Sequence, residues 1–424
     1  MVTWSNEIMK YTRRNFLQIS ATTAVLLAPA AAMGAALNVP STPKAIKKLK
    51  ITKVEVTYLK KPLKNRYWTA TKSIGGFDPH AKRVIVKVHT DGDVYGTGEG
   101  RDSGVLALSK GFGDLLIGEN PFEVQHIWQK MFKMTTGRTW SIKGWEHNSM
   151  IGAMAPLDAA LWDIMSKTAG LPLYKYLGGR NDPIDCYVTG CYYSEEGFNE
   201  KKLVAEVTKY IDMGYKALKI KVGGVSIDDD VKRARIIRET VGDDFRLMMD
   251  TNKGWNLQQS IEASHKLEPY NFTWLEEPLH WYNAVEGLKR LKRDCPIPLA
   301  SGENENNRYG ARRLVETGAI DFLQFDCQKY CGPTEWLKVA GMAASHGVLM
   351  APHHEPQLHG HLMTAIPNGY ILETFGNPDR DPFWFELYTR KPEIINGQMT
   401  MLNVPGIGVE FDQKVMKKYG TKIA

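Results

Sequence analysis

The 424-residue chain has no CxxC pair, no arginine tract and no basic repeat, and each absence excludes something. Its five cysteines, Cys186, Cys191, Cys295, Cys327 and Cys331, are odd in number and offer no zinc spacing, so they read as mostly free buried thiols. A count of 54 basic against 47 acidic residues gives a formal charge of +7, spread along the whole chain, which gives nucleic-acid binding little support. Past the first residues, no apolar run reads as membrane-spanning. What remains is a chain with 43% hydrophobic residues, neither disordered nor fibrous and long enough for two packed units.

The N-terminal residues carry a distinct signal. "YTRRNFLQISATTAVLLAPAAAMGAA" sets Arg13 and Arg14 before an apolar run and then small residues, the layout of an export leader. The run is about a dozen residues, too short to cross a bilayer. With Asn15, Phe16 and Leu17, the arginine pair resembles a bacterial twin-arginine signal. Residues 1–36 are therefore expected to be removed, leaving a periplasmic or otherwise exported protein with no membrane association.

Strand-like runs from Ile51 to about Thr90 and a helical segment near Phe122–Met134 predict a small α+β unit over residues 48–170. From residue 184 to 380 short apolar runs alternate with helix-length segments: "DCYVTGCYY", "ALKIKV", "FRLMMDTN", "FTWLEEP", "IPLASGE", "IDFLQFD", "GVLMAPHH" and "YILETFG". That alternation favours an α/β fold with a closed parallel barrel over a doubly wound sheet. Residues from about 381 to 424 are expected to leave the barrel and complete the N-terminal unit.

In "ALKIKVGG", Lys219 and Lys221 fall on one face of a strand. If that face points inward, two ammonium groups repel and lose hydration. Asp250, Glu276 and Glu303 offer an explanation, since each ends a successive strand, about 26 residues or one βα unit apart. A single such acid is ordinarily a surface charge or helix cap. Three of them, two in the apolar settings "LMMD" and "WLEEP", form an oxygen-only set suited to a hard cation such as Mg²⁺. A lysine beside them, its pKa depressed by burial and neighbouring positive charge, becomes a general base. Asp326 and His353 lie on adjacent strands, where the carboxylate would fix the imidazole tautomer and raise its basicity. The bland alternative is a structural histidine, with His354 as the functional one. Glu373, in "YILETFG", sits where an apolar setting would keep it protonated and able to donate to an anion.

These residues together resemble the enolase superfamily, specifically its mandelate racemase group. "LIGENPFEVQHIWQKMF", "APLDAALWDIMSKTAGLPLYKYLGG" and "NVPGIGVEFD" are similar to the family's capping-domain helix, interdomain helix and C-terminal segment. The resemblance implies a modified TIM-type (β/α)7β barrel with an α+β capping domain. It implies Mg²⁺ on Asp250, Glu276 and Glu303, with Lys221 as base on one substrate face and Lys219 on a carboxylate oxygen. His353, paired with Asp326, would act from the opposite face, and Glu373 would hydrogen-bond the substrate carboxylate. Glu276 is preferred to Glu277 on the family's pattern. Where the muconate-lactonising group has a catalytic lysine this chain has Asp326, with Lys329 three residues later. In "DTNKGWN" the family often has Ala and Gln for Thr251 and Lys253, so Lys253 is an extra cation, contacting substrate or solvated.

Family loops that close over substrate correspond to segments bearing Arg66, Tyr67, Trp68, Lys72, His80 and Arg101, and Asn252 and Lys329 join the substrate candidates. The reaction implied is removal of the proton α to a carboxylate through an ene-diolate. Polar loops favour a polyhydroxylated small-molecule acid, hence a sugar-acid dehydratase yielding a 2-keto-3-deoxy acid. Racemase or epimerase and cycloisomerase are the alternatives, and an exported binding protein on an idle barrel is the non-enzyme one. Family members are often dimers or octamers, which implies a homo-oligomer.

Overall fold

The computed structural model describes residues 49–65, 67–70, 79–138, 142–194 and 197–424. The expected export segment, Arg66 and Lys72 lie outside the described residues. The N-terminal strand-like runs form an antiparallel sheet of β1 (Ile51–Pro62), β2 (His80–Thr90) and β3 (Tyr95–Gly100). The chain's last strand, Gly420–Lys422, pairs with β1, with Thr57 opposite Lys422.

Among the described residues the two longer helices that follow are α1 (Val124–Lys133) and α2 (His147–Thr168). The reason β3 reads "YGTGEG" is that it lies directly on α2. A side chain at Gly96 or Gly98 would run into the carbonyl of Ala160 or Pro156. Helix α2 is buried along almost its whole length because it also faces the barrel. Asp158 accepts from Thr334 N at 2.7 Å and Thr334 Oγ1 at 2.8 Å, while Asp163 accepts from Thr97 N and Ile407 N at 2.9 and 2.8 Å.

All eight predicted barrel runs become parallel strands: β4 (Ile184–Gly190), β5 (Ala217–Lys221), β6 (Arg246–Asp250), β7 (Phe272–Glu276), β8 (Leu299–Ser301), β9 (Phe322–Leu323), β10 (Leu349–Met350) and β11 (Leu372–Thr374). β11 pairs with β4, and a bridge from Met350 to Gly369 completes the ring. Seven helices, from Glu200–Asp212 to Pro356–Met363, alternate with these strands, giving the (β/α)7β order. Not all of the C-terminal segment leaves the barrel. The hairpin Ile394–Ile395 and Gln398–Met399 pairs with the start of β4, because Gln398 registers with Asp185.

Strand alternation then sorts the barrel interior into layers. Tyr187, Ala217, Met248, Trp274, Phe322, Ala351 and Ile371 point inward and form an apolar plug. Two residues further along the same strands come Thr189, Lys219, Asp250, Glu276, His353 and Glu373. Polar chemistry is thereby stacked on a dry floor at the C-terminal end. All five cysteines are free, and among the described residues no helix is long and apolar enough to cross a membrane.

The glycine face of β3 is testable. Gly98→Ala must push β3 off α2, so we expect a loss of about 2–3 kcal/mol, read as a lower thermal midpoint. Thr97→Ala, one residue away and facing Asp163, serves as a milder control.

Candidate active site

Above the plug lies a cavity of about 800 Å³, at the C-terminal ends of the strands. Lys219, Lys221, Asp250, Asn252, Glu303, His353 and Glu373 line it from the barrel, with Trp68 from the capping unit. Glu276 and Asp326 sit just behind, fully buried.

Each lysine of β5 faces carboxylates. Lys219 Nζ lies 2.7 and 3.0 Å from the two oxygens of Glu276 and 2.9 Å from Glu373 Oε1. Lys221 Nζ lies 2.5 Å from Asp250 Oδ2. The strand register produces these contacts, since Lys221 pairs with Asp250 and Asp250 with Glu276. The plug supports the layer from below, with Trp274 Nε1 donating to Glu276 Oε2 at 3.0 Å and Lys219 standing 5.3 Å over the Tyr187 ring.

This geometry changes two charge expectations. Burial pushes the Lys221 ammonium toward neutrality, but Asp250, Tyr192 and Glu276 together outweigh it and its pKa is raised, not depressed. Lys219 is raised for the same reason, with burial opposed by Glu276 and Glu373. Glu373 is not a protonated acid: burial raises its pKa, but Lys219, His353 and the hydrogen bond from Thr189 act against that, and the net shift is downward. It accepts from Thr189 Oγ1 at 2.5 Å and His354 N at 2.9 Å. Its apolar sequence neighbours gave no sign of these partners. Burial pushes the Glu276 pKa up and Lys219 opposes it, with Asp250 and Glu373 adding to burial; with Lys219 Nζ on both of its oxygens, Glu276 is the carboxylate partner of that ammonium.

The predicted Asp326–His353 pair is present, with Nδ1 2.9 Å from Asp326 Oδ2. Asp326 is fixed in turn by the backbone N–H groups of Gln328 and Lys329 at 2.8 and 3.1 Å. The free ring nitrogen of His353, Nε2, lies 3.4 Å from Glu303 Oε2. Burial lowers the His353 pKa, but Glu303 and the bond to Asp326 outweigh it and raise it. His354 differs. Its pKa falls to about 4 through burial and the nearby Arg101, and its ring packs 4.1 Å from that of Phe375.

The donor set fits a hard cation. Asp250, Glu276 and Glu303 supply only oxygens, from neighbouring strands, and the buried Asn252 Oδ1 at the same rim has no hydrogen-bond partner. Among the described residues no three such side chains close on one point, because Lys219 and Lys221 draw Glu276 and Asp250 toward themselves.

Other predicted substrate residues divide. Trp68 lines the cavity, held by paired backbone bonds to Tyr193 at 3.1 Å. Tyr67 does not, and lines a second cavity of about 630 Å³ beyond Trp68, its hydroxyl 3.3 Å from Asn377 Nδ2. Lys329 reaches Asn304 Oδ1 at 2.9 Å rather than the cavity. The sequence reading passed over Tyr192, Arg83, Arg380 and Trp281, all of which line the cavity. Tyr192 follows the end of β4 and was discoverable on the strand-end rule. Arg83 lies mid-strand in "AKRVIVKV", where no sequence signal marks it, and it lies 3.1 Å from Glu355 and 3.3 Å from Asp381.

The family model for the mandelate racemase / muconate lactonizing enzyme N-terminal domain matches residues 53–178, and that for the enolase C-terminal domain-like fold matches residues 202–415. The chain is 31% identical over 317 residues to the L-talarate/galactarate dehydratase of Salmonella typhimurium, covering 74% of this chain and 75% of that one. It is 28% identical over 385 residues to the D-galactarolactone cycloisomerase of Agrobacterium fabrum, covering 88% and 99%. A crystal structure of the Salmonella dehydratase liganded with Mg and L-lyxarohydroxamate superposes with a TM-score of 0.79 at 28% identity, covering 90% of this chain and 95% of that one. With both domain types matched in order along one chain, this protein belongs to the mandelate racemase group of the enolase superfamily.

Proposed function

We propose that the protein removes the proton α to the carboxylate of a sugar acid and eliminates the β-hydroxyl, giving a 2-keto-3-deoxy acid. One observation carries this reading: Lys221 and the Asp326–His353 pair face a single cavity from strands separated by β4 and β11 on one side and β6–β9 on the other. Two proton-transfer groups on different sides of a substrate are what elimination or epimerisation requires, and simple binding does not. Relatives named as dehydratase and cycloisomerase support the class and leave the outcome to this chain's own residues.

Asp250, Glu276 and Glu303 would hold Mg²⁺, which when bound stabilises the second negative charge developing on the substrate carboxylate. Lys219 places a fixed ammonium at the same carboxylate. Lys221 Nζ takes the α-proton as the neutral amine, so its ammonium must first leave Asp250 and lose a proton, a loss that burial and Lys219 favour. His353 Nε2 supplies a proton to the departing hydroxyl, so that water leaves, and Asp326 holds the ring in the tautomer and orientation for this. Trp68 and Tyr192 wall the cavity and limit water. A substrate of opposite configuration at C2 would exchange the roles of Lys221 and His353. Export through Arg13 and Arg14 belongs to the same proposal and places the enzyme where exogenous sugar acids are met.

Lys221→Ala and His353→Asn should each lower turnover by about 10²–10⁴-fold in a proton-NMR screen of acid sugars in D₂O with Mg²⁺. One of the two should still wash solvent deuterium into C2 of recovered substrate. Near wild-type turnover in Lys221→Ala would overturn the assignment. Product keeping its β-hydroxyl would move the reading to epimerase or cycloisomerase, and no exchange or product with any acid would favour a binding protein.

Replacing Arg13 and Arg14 by Lys should leave the precursor in the cytoplasm on fractionation. Unchanged periplasmic recovery would remove the twin-arginine route.

A further inference from the structure

Lys253 is the cation that the family pattern leaves over. It follows Asn252 on two consecutive left-handed residues, φ 43° and 69°, a backbone that residues other than glycine adopt at some cost. The turn is fixed by Lys253 N donating to the carbonyl of Glu277 at 2.8 Å. It delivers Nζ to 2.5 Å from Glu277 Oε2 and 3.6 Å from Glu303 Oε1, with the Trp281 ring 5.3 Å away and the side chain only 14% exposed. Glu277 is itself on a left-handed residue, φ 41°, so it breaks the strand alternation and turns toward Lys253 and Asn304. Asn304 Nδ2 donates to Glu277 Oε1 at 2.6 Å and Glu303 Oε1 at 3.2 Å.

We propose that Lys253 is a built-in counter-cation of this carboxylate cluster, holding Glu277 and Glu303 together without metal and setting the divalent affinity below what the carboxylates alone would give. The inference rests on the assignment of Asp250, Glu276 and Glu303 to Mg²⁺ made above. The physics has two parts. A fixed ammonium beside one ligand repels a divalent ion, and burial keeps that repulsion from being screened. The same ammonium neutralises Glu277, which would otherwise be a buried anion with no cation beside it. Removing it should therefore destabilise the metal-free protein while strengthening metal binding, so that metal restores more stability to the variant than to the wild type. A lysine with only a packing role would weaken both forms alike.

The test is calorimetric titration of Mg²⁺ into the EDTA-treated, dialysed full chain, with thermal midpoints in EDTA and in saturating Mg²⁺. Lys253→Gln should bind Mg²⁺ about tenfold more tightly, melt about 3 °C lower in EDTA, and regain most of that deficit with metal. Lys253→Met, which keeps the apolar stem against Trp281, is a second neutral variant should Gln be poorly tolerated. Lys253→Arg, which keeps the charge, should stay within about twofold of wild type. Unchanged or weaker affinity in both neutral variants, with binding abolished in Glu303→Gln, would overturn the counter-cation and leave the metal assignment standing. Wild-type affinity in Glu303→Gln would overturn the assignment itself.

Discussion

Lys219 is 1% exposed and sits between Glu276 and Glu373, at the level where the barrel changes from an apolar plug to a polar cavity. An ammonium there loses its hydration and is tolerable only because two carboxylates meet it, while removing one partner of such a pair costs roughly 3–5 kcal/mol. That requirement fixes the register of the inner strands. A slip of one residue on β5 would turn both lysines out of the barrel and strand Glu276 without a counter-ion. Register, in turn, places Asp250 beside Lys221 and brings the strand ends to one rim. The chemistry and the fold are therefore held by the same ion pairs.

The capping unit is joined to this layer by charge as well as by the glycine face of β3. Arg83 from β2 and Arg101 just after β3 both approach Glu355 Oε1, at 3.1 and 3.0 Å, and Arg101 stands 3.8 Å from Asp326. Glu99 accepts from Tyr388 Oη at 2.7 Å, and Gln357 donates to Glu99, Glu355 and the Tyr388 hydroxyl. The loop that presents His353 is thus clamped from above, through its neighbours at 355 and 357. Displacing the cap would leave Glu355 buried against fewer cations, so the orientation of His353 depends on a unit that contributes no proton-transfer group.

Strand positions and the inward set of residues were readable because both follow from alternation and from spacing by one βα unit. Pairing was not readable. Alternation says that Lys219, Lys221, Asp250 and Glu276 face inward, but not which ammonium reaches which carboxylate. That choice decides whether Lys221 is depressed or raised and whether Glu373 is neutral or ionised. The same limit explains Glu277. Alternation turns it away from Glu276, yet its left-handed backbone still leaves it buried against the neighbouring Lys253 and Asn304. Tyr67 and Trp68 are adjacent in sequence, yet Tyr67 lines only the second cavity while Trp68, held by its backbone pairing with Tyr193, stands between the two and lines both.

Dehydration, epimerisation and ring isomerisation all begin with the same loss of a proton beside a carboxylate, so the lysine and carboxylate layer cannot distinguish among them. The distinction lies in what stands over the carbon next to the one that loses its proton. On the proposed elimination that group is the imidazole of His353, tied to a fully buried aspartate and with its pKa raised by Glu303 and that bond. A raised pKa suits an imidazole to giving a proton to a departing hydroxyl. Epimerisation asks for a donor aimed at the α-carbon, and ring isomerisation asks for a ring-opening or ring-closing oxygen to be held in line. An imidazole whose Nε2 already lies at the cavity wall beside Glu303, 3.4 Å away, needs only a substrate long enough to bring its β-hydroxyl there. The polar lining extends past that point, through Arg101, His80 and Lys82. That extension supports the proposed acid with several hydroxyl groups over a compact or aryl one, and on that proposal it is the loop after β10, not the charge layer beneath it, that would favour elimination.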